Sequence, residues 1–263
     1  MSSAFLDKMV AAKFERLEQQ KRETDISRLR AAAYKRRSTA DRQRLTEALR
    51  RKERTNIIAE IKRASPSKGV INEIVDVGKM ARKYRDGGAA AISVLTEEDY
   101  FKGSLEDLIA VREAVDLPLL RKDFMVDEFQ VFESAAAGAD AMLLIVAALD
   151  EPQLSELYDL INDDLEMDAI VEVHTPFELE TAARIGANII GVNNRNLQTL
   201  EVSLDFSREL IPFRPPGALM IAESGISTIE EIRELKSLGY DGFLIGETLM
   251  KTGDPTALLG EWV

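Results

Sequence analysis

Cysteine does not occur in the 263-residue chain, which excludes disulfides, thiol nucleophiles and thiolate metal sites together. Histidine occurs once, at His174, and a single imidazole cannot build an ordinary metal site. No apolar run approaches the roughly 18 residues of a membrane span, and Met1 to Asp7 lacks the basic-then-apolar order of a signal peptide. A cytoplasmic location is therefore expected, with no membrane partner. Net positive charge is also lacking: 34 Lys and Arg are outnumbered by 46 Asp and Glu, and the formal net charge of −12 argues against nucleic acid, because polyanion binding needs a basic field. Lys and Arg do gather in residues 12–54, as Lys35-Arg36-Arg37 and Arg50-Arg51-Lys52, but with only Phe14 and Tyr34 as aromatic residues among them, as on a solvated helix face. A small anionic substrate remains compatible, since a few local cations can dominate inside a cleft.

What is present is a repeat. Residues 3–20 read as an amphipathic helix carrying Phe5, Met9, Val10, Phe14 and Leu17; Leu29, Ala32 and Ala33 suggest a short helical turn, and Leu45 with Leu49 a third helix. From Asn56 onward, apolar strands alternate with amphipathic helices. The strands fall at 56–62, 90–96, 118–124, 141–147, 168–174, 188–194, 219–224 and 242–247. Gly87, Gly88, Gly138, Gly186 and Gly239 each fall just before the next strand, as helix stop signals do. Eight strand–helix units with nearly continuous apolar strands predict an all-parallel sheet covered by helices, and eight is the closing number of a barrel. An open doubly wound sheet fits six or seven units and usually carries a glycine-rich fingerprint after its first strand, whereas Gly69 stands alone. The expected fold is an α/β protein, a (β/α)8 TIM barrel formed by one domain over 1–263. Residues 1–52 of it form an N-terminal helical extension whose removal up to residue 45 should leave the barrel standing.

The active site of such a barrel gathers at the carboxyl ends of its strands, so polar residues with inward parity there are the candidates. The first strand offers Glu60 and Lys62, two apart and thus on one face. The second offers Ser93, followed by Thr96-Glu97-Glu98-Asp99-Tyr100-Phe101, and the third Lys122 between Leu120 and Phe124. The fourth stays apolar, with Met142, Leu144 and Val146 read as the inward set. Glu172 shares a face with Ile170 and His174 on the fifth; Asn193 and Arg195 mark the sixth and Glu223 the seventh. Three carboxylates, two lysines and an arginine make a poor structural core, because buried charge is costly to maintain, and groups in such contact suit proton transfer near neutral pH. The apolar flanks of Lys122 predict a lowered pKa. The interleaved lysines also argue against a carboxylate Mg²⁺ site, so no metal is expected.

The last two strands run into Ala222-Glu223-Ser224-Gly225-Ile226-Ser227 and Leu244-Ile245-Gly246-Glu247-Thr248. Loops at these positions in barrels often hold phosphate through backbone N–H groups, where small residues permit close approach. Ser224, Gly225, Gly246 and Glu247 are the candidates.

Read together, these segments resemble the indole-3-glycerol-phosphate synthase family over about residues 5–250. The likeness is carried by Ile58-Ala59-Glu60-Ile61-Lys62-Arg63-Ala64-Ser65-Pro66-Ser67-Lys68-Gly69, Ser93-Val94-Leu95-Thr96-Glu97, Leu120-Arg121-Lys122-Asp123-Phe124, Val171-Glu172-Val173-His174, Gly191-Val192-Asn193-Asn194-Arg195 and the two glycine turns. The resemblance implies ring closure of 1-(2-carboxyphenylamino)-1-deoxyribulose 5-phosphate, with loss of CO₂ and water, and no cofactor. It implies Lys122 as the general acid, with Glu172 and the Glu60–Lys62 pair sharing the later proton transfers. Asn193, Arg195 and Glu223 would hold substrate hydroxyls or carboxylate; Phe101, Phe124, Leu144 and Leu244 would line the aromatic slot, near Ser93. Glu247 stands where many relatives have serine, so at that position only its backbone N–H could serve phosphate. A monomer or weak homo-oligomer is expected.

Other phosphate-binding barrels fit less well: the sister isomerase of the pathway uses a cysteine, and sugar-phosphate epimerases generally use several metal-binding histidines. A non-catalytic barrel would predict degraded strand ends, whereas every candidate acid and base is present.

Overall fold

The computed structural model describes residues 4–66, 69–72, 75–196 and 199–263. Ser67 and Lys68 of the first turn, and Ser3 of the first predicted helix, lie outside the described residues.

Eight strands close into a parallel barrel: β1 (Ile57–Ile61), β2 (Ala91–Leu95), β3 (Leu119–Lys122), β4 (Ala141–Ile145), β5 (Asp168–Val173), β6 (Ile189–Asn193), β7 (Leu219–Glu223) and β8 (Gly242–Ile245). Each pairs with the next, and β8 pairs with β1 through Ile58↔Leu244. All but the last residue of β3 are buried, as expected for strands covered on both faces. One face packs on the helices around the barrel. The other fills the bore with Ile58, Ala91, Leu120, Ala141, Leu143, Ile170, Ile189, Ile221 and Leu244.

Strands are followed by α4 (Val77–Asp86), α5 (Leu105–Ala114), α6 (Glu128–Ala137), α7 (Glu151–Asp159), α8 (Pro176–Arg184), α9 (Asp205–Leu210), α10 (Ile229–Leu238) and α11 (Glu247–Lys251), with α12 (Pro255–Trp262) at the end. Most start on an Asp, Ser or Thr whose side chain accepts an N–H of the first turn, as Asp76, Ser104, Asp127, Asp150, Thr175 and Thr228 do. Such a cap is worth about 1 kcal/mol. Among the described residues no helix is long and apolar enough to cross a membrane.

Three helices precede the barrel: α1 (Ala4–Glu23), α2 (Ile26–Arg37) and α3 (Arg44–Leu49). The segment expected to be a short turn is therefore a twelve-residue helix. Its Ala, Arg and Lys residues favour helix intrinsically, although Ala33 alone is fully buried, so an apolar stripe hardly announces it. Helix α3 closes the amino end of the bore, inserting Leu45 and Leu49 into the inner cluster. Its start lacks a side-chain cap of its own; Asp168 of β5 supplies one, accepting the Leu45 and Thr46 N–H groups at 2.8 and 3.2 Å. A cut at residue 45 would thus pass through a helix that belongs to the barrel floor.

The parity read for β4 is reversed. Leu143 pairs with Ile170 and Ile145 with Glu172, so these two face the bore. Met142, Leu144 and Val146 pack outward among the helices. A strand apolar on both faces carries no alternation from which to read its parity.

Candidate active site

The carboxyl ends of the strands surround a cavity of about 950 Å³. Lys122 rises from β3 and meets two carboxylates from other strands. Its Nζ lies 2.5 Å from Glu223 Oε2 on β7 and 3.7 Å from Glu172 Oε2 on β5. Asn193 of β6 donates from Nδ2 to Glu172 Oε1 at 3.0 Å, and its Oδ1 accepts the backbone N–H of Arg195. On β1, Glu60 Oε1 and Lys62 Nζ are 2.5 Å apart.

Two glycines make room for this charge. A Cβ on Gly191 would lie 2.2 Å from Glu223 Oε1, and one on Gly246 would lie 2.2 Å from Glu60 Oε1. Neither position can carry a side chain while the carboxylates stay where they are.

The electrostatics differ from those expected of an ammonium in an apolar slot. Burial works against the charge of Lys122, but Glu223, Glu172 and Glu60 outweigh it and raise its pKa above the ordinary lysine range. The predicted lowering is wrong because the carboxylates reach it across the bore, whereas Leu120 and Phe124 are merely its neighbours along the strand. Glu223 is driven upward by burial, which the adjacent Lys122 only partly counters, and titrates at about 7. Glu172 is also buried, yet His174, Lys122 and Asn193 hold it down at about 2.

Glu60, Lys62, Phe101, Lys122, Phe124, Glu172, Asn193, Arg195 and Leu244 all line the cavity, as do Ser224, Gly225, Gly246 and Glu247. Three expected contacts do not. Leu144 points away, and Leu143 and Ile145 stand in its place. Ser93 is wholly buried beside Glu60 in the strand pairing, below the cavity wall. Glu223 is equally buried and reaches Lys122 rather than the open space, so holding substrate hydroxyls does not suit it.

At the far side, Ser224 and Gly225 are successive residues with left-handed backbones, φ 66° and 81°. Asn194 Nδ2 donates to Ser224 O at 3.2 Å, and Thr248 Oγ1 to Ile226 O at 2.9 Å, tying the turn after β7 to α11. Glu247 forms an ion pair with Lys251 at 2.5 Å, which offsets its charge at this end.

The family profile described as indole-3-glycerol phosphate synthase matches residues 6–261. The chain belongs to the indole-3-glycerol phosphate synthase family. It is 43% identical over 258 residues to the indole-3-glycerol phosphate synthase of Laribacter hongkongensis, covering 98% of both chains. To that of Carboxydothermus hydrogenoformans it is 45% identical over 255 residues, covering 95% of this chain and 96% of that one. Among solved structures, a thiamine phosphate pyrophosphorylase from Pyrococcus furiosus matches with a TM-score of 0.59 at 18% identity, over 79% of this chain and 93% of that one. At that identity the likeness concerns the barrel alone.

In this indole-3-glycerol phosphate synthase family member the N-terminal helix also reaches the site. Phe5 of α1 lines the cavity and packs edge-on against Tyr100, with ring centroids 5.6 Å apart. Lys13 forms ion pairs with Asp123 at 2.8 Å and Glu98 at 3.2 Å, and Arg16 with Asp99 at 2.7 Å. Asp123 in turn accepts from Thr96 Oγ1, to which Arg121 Nε donates. The acidic run after β2, with Asp123 next to Lys122, was the available signal for a docked basic helix. Its partner could not be chosen from the many cations of residues 12–54. Glu97 shapes the same loop by accepting the N–H groups of Asp99, Tyr100 and Phe101.

Proposed function

We propose that the barrel mouth performs the family reaction with Lys122 as the acid of ring closure. The chain is a carboxy-lyase of tryptophan biosynthesis, converting 1-(2-carboxyphenylamino)-1-deoxyribulose 5-phosphate to indole-3-glycerol phosphate. The ring carbon bearing the carboxylate attacks the ribulose carbonyl while Lys122 delivers a proton to the carbonyl oxygen. Loss of CO₂ then restores the aromatic ring. The observation carrying this assignment is the contact of Lys122 Nζ with Glu223 and Glu172, which keeps the ammonium charged at the cavity wall. Glu223, titrating at about 7, is placed to return a proton to the lysine.

The new hydroxyl leaves as water in the dehydration that follows. Glu172, ionised at neutral pH, is the base that takes the substrate proton, and Lys62, held by Glu60, protonates the departing oxygen. Asn193 and Arg195 hold substrate oxygens, and Phe101, Phe124 and Leu244 enclose the aromatic ring. Phosphate sits at Ser224, Gly225, Gly246 and the backbone of Glu247, where left-handed φ at Ser224 and Gly225 supports an anion-binding turn. The chain acts as one barrel domain over 1–263 with residues 1–52 as its extension, in the cytoplasm, as a monomer or weak homo-oligomer.

The test is ultraviolet detection of indole product from the carboxyphenylamino substrate, with CO₂ measured in parallel. Equimolar indole-3-glycerol phosphate and CO₂ are expected; folded protein that releases neither would overturn the assignment.

A further inference from the structure

His174 directly follows β5 and is the one histidine of the chain. Its side chain is 11% exposed and is flanked by a carboxylate at each nitrogen. Nδ1 lies 3.2 Å from Glu178 Oε2, and Nε2 lies 3.3 Å from Glu172 Oε1. The same Glu178 oxygen accepts the backbone N–H of His174 at 2.7 Å, and Glu178 is in the first turn of α8, so helix and strand end fix the ring together.

A neutral imidazole has one N–H and one lone pair, so one carboxylate would face a lone pair. A protonated ring presents N–H to both. Nε2 makes no well-aligned hydrogen bond, so its hold on Glu172 is one of charge.

We propose that His174 is a positioning residue, an imidazolium bridging Glu178 and Glu172 that keeps the Glu172 carboxylate ionised for catalysis. This rests on the reading of Glu172 as the base. Around Glu172 stand Lys122 from β3, Glu223 from β7 and Asn193 from β6, as well as His174; Glu60 from β1 acts on Lys122 and Glu223. Around His174 stand Glu172 and Glu178. Burial works against its protonation, but these two carboxylates raise it to about 9, above the ordinary histidine range.

The single histidine gives one imidazole resonance to follow by NMR in the intact enzyme. It is expected to remain in its protonated position at pH 7.5 and to titrate well above 6.5; titration at or below 6.5 overturns the proposal. The second measurement is the pH dependence of kcat in His174→Gln, which keeps an N–H donor and drops the charge. Its acid limb is expected at least one pH unit higher, with activity falling tenfold for each unit below that limb and nearing the parent value at pH 8. A profile that overlays the parent, or one depressed equally at every pH, overturns the proposal. Glu172→Gln separates the two readings: if it remains active, Glu172 is not the base. If it is inactive while His174→Gln keeps the parent profile, only the role of His174 fails.

Discussion

Lys122 on β3 and Glu223 on β7 stand four strands apart in an eight-stranded barrel, and their 2.5 Å contact spans the bore. The ammonium is thus held by a group on the opposite wall. Its position depends on barrel closure rather than on its own strand, and the predictions begin there.

Lys122→Met keeps length and packing but removes charge and proton. Turnover is expected to fall on the order of 10² to 10⁴-fold, the range for one lost acid step. Far-ultraviolet circular dichroism should be unchanged, because Glu223, titrating at about 7, can take up a proton when its cation is gone. Binding of a phosphate-bearing product analogue should change little, since the turns proposed to hold phosphate lie on other strands. Near-normal turnover would shift the acid role to Lys62.

Gly191→Ala adds one methyl group without replacing a titratable residue. The new Cβ would meet Glu223 Oε1 at 2.2 Å and Ile170 Cγ2 at 3.0 Å, so the carboxylate must move. Overpacking of this kind costs about 1–3 kcal/mol in stability. Misplacing the partner of Lys122 should lower kcat on the order of 10²-fold. Thermal unfolding and steady-state kinetics measure the two effects; a variant with parental kcat would show that Glu223 need not hold Lys122.

Truncation should separate the roles of the N-terminal helices. Deleting residues 1–23 removes Phe5 from the cavity and Lys13 from Asp123, and is expected to raise KM while leaving the barrel folded. Deleting residues 1–52 also removes Leu45 and Leu49 from the bore and strips Asp168 of its partners, and is expected to abolish cooperative unfolding. Circular dichroism melts and KM distinguish the cases, and equal behaviour of the two deletions would refute the division.

Local features were legible from the residues alone. Alternating strand and helix patterns set the eight units, glycine and capping residues set their ends, and Lys122, Glu172 and Glu60 with Lys62 were readable as inward charges at strand ends. These depend on neighbours within a few positions. Tertiary structure decided what depends on closure. It turned Leu144 outward and Leu143 inward, because an apolar strand takes its parity from Ile170 and Glu172 beside it. It placed Ser93 beneath the cavity, gave Glu223 to Lys122, and reversed the expected shift of that lysine. It also laid α1 over the mouth and α3 under the floor through ion pairs and hydrogen bonds to residues about 80 to 120 positions away. A strand's own pattern says which residues can face inward; which partners meet them there is set when the eighth strand pairs with the first.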